Sequence, residues 1–234
     1  MIELINSPGF WLAVMQIIAI DILLGGDNAV VIALACRKLP EAQRNRAIIG
    51  GALGAILLRI GMIFFALQLL ELPYLKLIGA VLLLWIGAKL LAPEGDDAHD
   101  NLAASPKLFG AIKTIIVADA VMSLDNVVAV AGASNGQLEL VTFGIVISIP
   151  IIIWGSKLVL HFMDQYPIVI TLGASLLGWI AGSMAISDIS MPVVPTWAHY
   201  AAGAVGVSLV LIIGKLIVSR DEAAGDKSET QRSE

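Results

Sequence analysis

Charge is scarce in this 234-residue chain: Asp, Glu, Lys and Arg make up 14% of it, against about 25% in an ordinary soluble domain. Its one cysteine, Cys36, excludes a disulfide framework and a cysteine-based zinc or iron–sulfur site. Basic residues are outnumbered, 14 against 19 acidic ones. The net charge of −5 leaves no cationic surface to replace the counterions of a nucleic acid. The leader Met1 to Pro8 has no Lys or Arg and no small-residue cleavage site, so the first apolar stretch is expected to be retained rather than cleaved. It also lacks the Arg- and Ser-rich character of an organelle transit segment. What is abundant is apolar: 58% of the residues are hydrophobic, which excludes a water-soluble domain of ordinary composition.

Seven stretches approach the roughly 20 residues needed to cross about 30 Å of hydrocarbon. They lie near 10–36, 47–70, 73–92, 108–133, 138–162, 167–186 and 198–218. The chain therefore reads as an all-α polytopic membrane protein. Its single transmembrane domain covers residues 1–218, and a polar cytoplasmic tail at 219–234 is expected to be disordered.

Orientation follows from the basic residues. Arg37, Lys38, Arg44 and Arg46 fall in the first connection. By alternation they share a side with Lys89, Lys107, Lys113, Lys157, Lys215, Arg220, Lys227 and Arg232, leaving only Lys76 opposite and Arg59 inside a span. Basic connections stay in the cytoplasm, which puts the N-terminus outside and the C-terminus inside an inner or plasma membrane. The linker Pro93 to Pro106, with Glu94, Asp96, Asp97, His99 and Asp100, is then a solvated cytoplasmic segment.

An internal repeat organises the chain. Asp21-Ile-Leu-Leu-Gly-Gly-Asp27-Asn28-Ala-Val30 recurs 98 residues later as Asp119-Ala-Val-Met-Ser-Leu-Asp125-Asn126-Val-Val128. The same offset carries Arg59 onto Lys157, the basic residue in the body of each second span. With an offset of 94, Pro73, Gly79, Ala80, Trp85 and Ile86 fall on Pro167, Gly173, Ala174, Trp179 and Ile180. Repeat 1 spans about 10–92 and repeat 2 about 108–186, each with three spans, so the second copy enters the membrane from the opposite side. That is a 3+3 inverted-topology repeat with a seventh helix outside it, a construction of secondary transporters whose site lies at the repeat interface near the midplane.

Asp21 and Asp119 each sit about ten residues into a span, roughly 15 Å deep at 1.5 Å per residue. An ionised side chain there costs roughly 2.5–3.5 kcal/mol on the insertion scale and is seldom decorative. Pairing Asp21, Asp27, Asp119 and Asp125 with Arg59 and Lys157 leaves two negative charges unmatched. Two unmatched charges, the amides of Asn28 and Asn126 and no thiolate describe a hard-oxygen site for Mn²⁺, Mg²⁺ or Ca²⁺. A regular helix cannot aim Asp21, Asp27 and Asn28 at one ion, so the spacing predicts that Gly25-Gly26 unwinds the first span. Ser123-Leu124 holds that place in the second copy. Arg59 and Lys157 are expected to act as counter-charges that pair with aspartates while no metal is bound. Met122 offers a soft sulfur beside Asp125, though packing is the ordinary reading of such a methionine.

The runs GGDNAVVIALACRKLP and VADAVMSLDNVVAVAGAS resemble the TerC family of integral membrane proteins, in its YjbE-like branch. The resemblance extends from about Gly9 to Val218. It implies a seven-helix protein of the LysE-type transporter superfamily, associated with manganese efflux and with tellurite resistance. Carried over by position, the family's metal residues fall on Asp21, Asp27, Asn28, Asp119, Asp125 and Asn126. The expected activity is export of Mn²⁺ as a transported substrate, with protons as the counter-ion and no permanent cofactor. Export of another cation such as Ca²⁺, or a non-transporting role in metal delivery or resistance, are the competing readings.

Other residues have plainer readings. Gly50 with Gly54, and Gly178 with Gly182, make small-residue faces for close helix packing. Trp85, Trp179 and Trp197 suit interfaces, and His161 and His199 lie near span ends. An intramembrane aspartyl protease needs two facing carboxylates. Here a whole Asp-x5-Asp-Asn motif is duplicated with a cation in each copy, so no enzyme activity is expected. The expected partners are the lipid bilayer and a divalent metal ion, with a homodimer left open and nucleic acid excluded.

The basic asymmetry makes a direct prediction. A reporter active only in the cytoplasm is expected to work when fused after Glu234 and to fail when fused before Met1. Both ends on one side would refute the seven-span count and the inverted repeat together.

Overall fold

The computed structural model describes the backbone of residues 8–65, 68–69, 71–91, 106–133 and 138–232. The described residues are helical, without strands, and form seven helices of 17 residues or more. These are α1 (Pro8–Cys36), α2 (Glu41–Phe64), α3 (Leu75–Leu91), α4 (Pro106–Ala133), α5 (Leu138–Gln165), α6 (Ile168–Ala185) and α7 (Thr196–Arg232). Most bounds fall close to the expected spans. α2 differs, beginning at Glu41 rather than near residue 47, because Pro40 positions a first turn and Glu41-Ala-Gln-Arg are good helix formers. α7 continues to Arg232, through most of the tail expected to be disordered. Asp221-Glu-Ala-Ala lets an established helix propagate beyond its apolar part. Most of the acidic linker lies outside the described residues.

Among the described residues, α2, Gly144–Gln165 of α5, α6, and Thr196–Ser219 of α7 are long and apolar enough to cross a membrane. Polarity is arranged as lipid requires. Leu57, Phe64, Ile78, Trp154 and Ile212 face outward, whereas Asn28, Arg59, Asp119 and Ser123 are buried. Water would reverse that preference; hydrocarbon selects it.

The helices pack in two groups. α1 lies against α5 and α2 against α4, with α1 and α4 also in contact. α3, α6 and α7 form the other group. Within it α6 and α7 meet backbone to backbone: a Cβ on Gly178 would stand 2.7 Å from the Gly206 carbonyl oxygen, and one on Gly182 would collide with the carbonyl of Ala202. The expected role of the Gly178/Gly182 face is therefore observed, with Gly203 and Gly206 completing it from α7.

Contacts between connections show which share an end of the bundle. At one end Arg44 Nη1 donates to Asp164 Oδ2 at 2.7 Å, joining the α1–α2 turn to the end of α5. There too Arg37 Nη2 donates to the Leu90 carbonyl at 2.8 Å, at the end of α3. At the other end Asp188, after α6, caps the start of α3. It accepts from the backbone N–H of Tyr74 at 2.9 Å and of Lys76 at 3.0 Å. Tyr74 adopts a left-handed φ of 65°, rare for a bulky residue. Helix N-termini leave unpaired N–H donors and attract carboxylates, so Asp188 does from a distant helix what a local cap does elsewhere.

The Ser190 hydroxyl bonds Asp188 Oδ1 at 2.5 Å. This bond leads the set of donors that hold the Asp188 carboxyl well below its ordinary value, with the backbone N–H groups of Ser190, Tyr74 and Leu77 adding to it. A depressed folded pKa contributes stability that is present above the unfolded value, near 3.9, and is lost as pH falls below it. Asp188→Asn is expected to lower the melting temperature by a few degrees at neutral pH. The gap to wild type should close as pH drops below about 4, as thermal unfolding in detergent would measure.

Candidate cation site

The site is built where α2 and α4 run parallel at unusually short range. Gly50, Gly51 and Gly54 face Ile112, Ile115 and Ile116, and a Cβ on Gly51 would stand 2.5 Å from Ile115 Cδ1. The same two faces, continued a little over two turns beyond Gly51, bring Arg59 to Asp119 and Ser123. Arg59 Nη2 donates to Asp119 Oδ1 at 2.7 Å, and Arg59 Nε donates to Ser123 Oγ at 3.0 Å. Ser123 Oγ in turn donates to Asp119 Oδ2 at 3.3 Å. Asp119 and Ser123, four residues apart, share one side of α4. Arg59 is 3% exposed and Asp119 7%, so the ion pair is buried.

α1 supplies the other half. Asn28 is 2% exposed, and neither its Oδ1 nor its Nδ2 has a hydrogen-bond partner. Asp27 Oδ1 is also buried without a partner. A buried polar group left unsatisfied costs about 1–3 kcal/mol. Packing alone does not explain three such atoms on consecutive residues; a ligand bound between α1 and α4 would.

The expected break at Gly25-Gly26 is not found. α1 is helical without interruption from Pro8 to Cys36, and α4 likewise through Ser123-Leu124. Asp27 and Asp119 are instead carried on two regular helices, α1 and α4, that pack against one another. The side chains of Asp21, Asp125 and Asn126 lie outside the described residues. Lys157 is exposed on α5, and among the described residues it makes no ion pair, unlike its repeat counterpart Arg59. Met122 is packed in the core at 5% exposure. His161 lies on the surface, 3.0 Å from Gln165 Nε2. Among the described residues no three His, Cys, Asp or Glu side chains cluster as a metal site. Sequence reasoning missed the part played by Ser123, although a serine one helical turn after a buried aspartate was a legible signal. It also missed Asp188, whose partners at the start of α3 lie more than a hundred residues away.

Among known proteins the chain is similar to integral membrane proteins. Residues 6–223 match the family described as "Integral membrane protein TerC family". The chain is 45% identical over 179 residues to the uncharacterized membrane protein YjbE of Bacillus subtilis, covering 76% of this chain and 81% of that one. It is 29% identical to the UPF0053 protein YegH of Escherichia coli over 89% of its length, and it spans 42% of that longer protein. With the inner membrane protein YgdQ of Escherichia coli, identity is 24%, over 84% of this chain and 90% of the relative. No solved structure matches.

The unpartnered amide of Asn28 generates a test that separates binding from folding. Asn28→Leu keeps the branched outline and removes two desolvated polar atoms. The variant is expected to melt at or slightly above the wild-type temperature, and to lose any stabilisation that added divalent cations confer on wild type. A large fall in metal-free stability would show that Asn28 serves the fold instead.

Proposed function

The chain belongs to the integral membrane protein TerC family, and from that membership we propose that it is a secondary transporter exporting Mn²⁺ from the cytoplasm. The observation that carries the reading is the set of unpartnered buried polar atoms on Asp27 and Asn28, on a helix that packs against the one carrying Asp119 of the Arg59–Asp119 pair. Carboxylate and amide oxygens suit a hard divalent cation. Asp21, Asp125 and Asn126 complete the proposed ligand set by their place in the repeat. The ion is cargo, held at the interface of the two copies and released on the far side.

The packing supports an inverted repeat. Exchanging α1 with α4 and α2 with α5 turns the α1–α5 contact into the α4–α2 contact, and both are extensive. The self-equivalent pair α3–α6 is extensive as well. Seven spans with the N-terminus outside fit the ends of the bundle, where the α1–α2 turn, the end of α3 and the end of α5 gather. That end also carries Arg37, Lys38, Arg44 and Arg46, as a cytoplasmic face should. Protons are the proposed counter-ions, since carboxylates emptied of metal in a low dielectric take them up.

Asp27→Ala and Asp125→Ala are each expected to abolish Mn²⁺ tolerance in cells while the protein stays in the membrane, because each removes a charge and a ligand. Flux into proteoliposomes containing only this protein distinguishes a transporter from a membrane partner that delivers metal elsewhere. Thermal stabilisation across Mn²⁺, Mg²⁺ and Ca²⁺ ranks the substrates. Wild-type efflux by either variant would refute the reading.

A further inference from the structure

We propose that Arg59 is a tethered competitor for the transported cation: its guanidinium occupies Asp119 while the site is empty and is displaced when metal arrives at Asp27 and Asn28. The inference rests on the cation-transport reading above and adds to it a role for the Arg59–Asp119 pair.

Both oxygens of Asp119 are engaged, one by Arg59 and the other by the Ser123 hydroxyl. Asp27 Oδ1 and both polar atoms of Asn28 are buried without partners. Lys157, the repeat counterpart of Arg59, is exposed and makes no ion pair among the described residues. Asp119 is therefore held by a built-in positive charge, whereas Asp27 and Asn28 are open to an incoming one.

Charge arithmetic makes the two occupants exclusive. A divalent ion at Asp119 and the guanidinium already bonded there repel one another strongly where little water screens them. Loading Asp119 with metal therefore drives Arg59 away from it. Ser123 donates to the carboxylate and accepts from Arg59 Nε, so it holds both members of the pair in place. When the ion leaves, Arg59 returns to Asp119 and relieves the carboxylate repulsion that would otherwise oppose an empty carrier. Competition of this kind keeps affinity moderate, which favours release on the far side.

A purely structural ion pair between α2 and α4 makes the opposite prediction for affinity, and this decides the test. Mn²⁺ is titrated by calorimetry into the purified full chain in detergent, at one fixed pH near neutrality. Arg59→Gln is expected to bind Mn²⁺ about tenfold more tightly than wild type, and to move it more slowly across proteoliposome membranes because release is impaired. Arg59→Lys, which keeps the charge, should lie closer to wild type on both counts. Ser123→Ala loosens the tether without removing a charge and should tighten binding by a smaller factor, so it decides the matter if Arg59→Gln does not fold. Unchanged or weaker binding by Arg59→Gln, or by Ser123→Ala in its place, overturns the inference while leaving transport intact. If wild type binds no divalent cation, the transport reading falls and this inference with it.

Discussion

A guanidinium and a carboxylate 2.7 Å apart, both almost completely removed from solvent, set the terms for the rest of this molecule. Desolvating two such ions costs several kcal/mol each, and only close geometry with further hydrogen bonds returns that energy. The geometry is supplied by glycine. Gly50, Gly51 and Gly54 let α2 approach the isoleucines of α4 closely enough for Arg59 to reach Asp119 without leaving the bundle. The third partner, Ser123, comes from the same side of α4 one turn later. A bulkier face on α2 would separate the charges and leave each facing hydrocarbon alone.

The surface answers to the same constraint. Large apolar residues such as Leu57, Trp154 and Ile212 point away from the protein, while Asn28, Arg59, Asp119 and Ser123 turn inward. The hydrophobic effect does little to hold helices together in lipid, so cohesion comes from packing of small residues and from buried polar contacts. Where the chain leaves the bilayer, long-range caps take over. Asp188 gathers the free N–H groups of α3, and Arg44 spans the α1–α2 turn and Asp164.

Much of this was written in local sequence. Apolar runs gave helices at nearly the observed bounds, because a segment in lipid must satisfy its own backbone and helix is the simplest way. The repeat marked Arg59 and the two Asp-Asn motifs as belonging together, and the structure brings Arg59 to Asp119. Position in the repeat did not reveal that Lys157 would be exposed, since packing of α5 against its neighbours decides where that side chain lies. The break expected at Gly25-Gly26 was inferred from one helix considered alone. α4 lies beside α1 as a second regular helix, and glycine's tolerance of unwinding goes unused. Asp188 was invisible for a related reason: nothing next to it in sequence announces that its partners are on α3.

The glycine seam between α6 and α7 limits how the molecule deforms. Side chains normally act as a compliant layer between helices, absorbing a shift by changing rotamer. Along Gly178, Gly182 and Gly206 that layer is missing, and carbonyl groups rest almost directly on the opposing backbone. The two helices therefore behave as one stiff strut, with α3 packed against both. Motion in such an assembly concentrates at the softer boundary with α1, α2, α4 and α5, where side chains still intervene, and that boundary is where a hinge belongs.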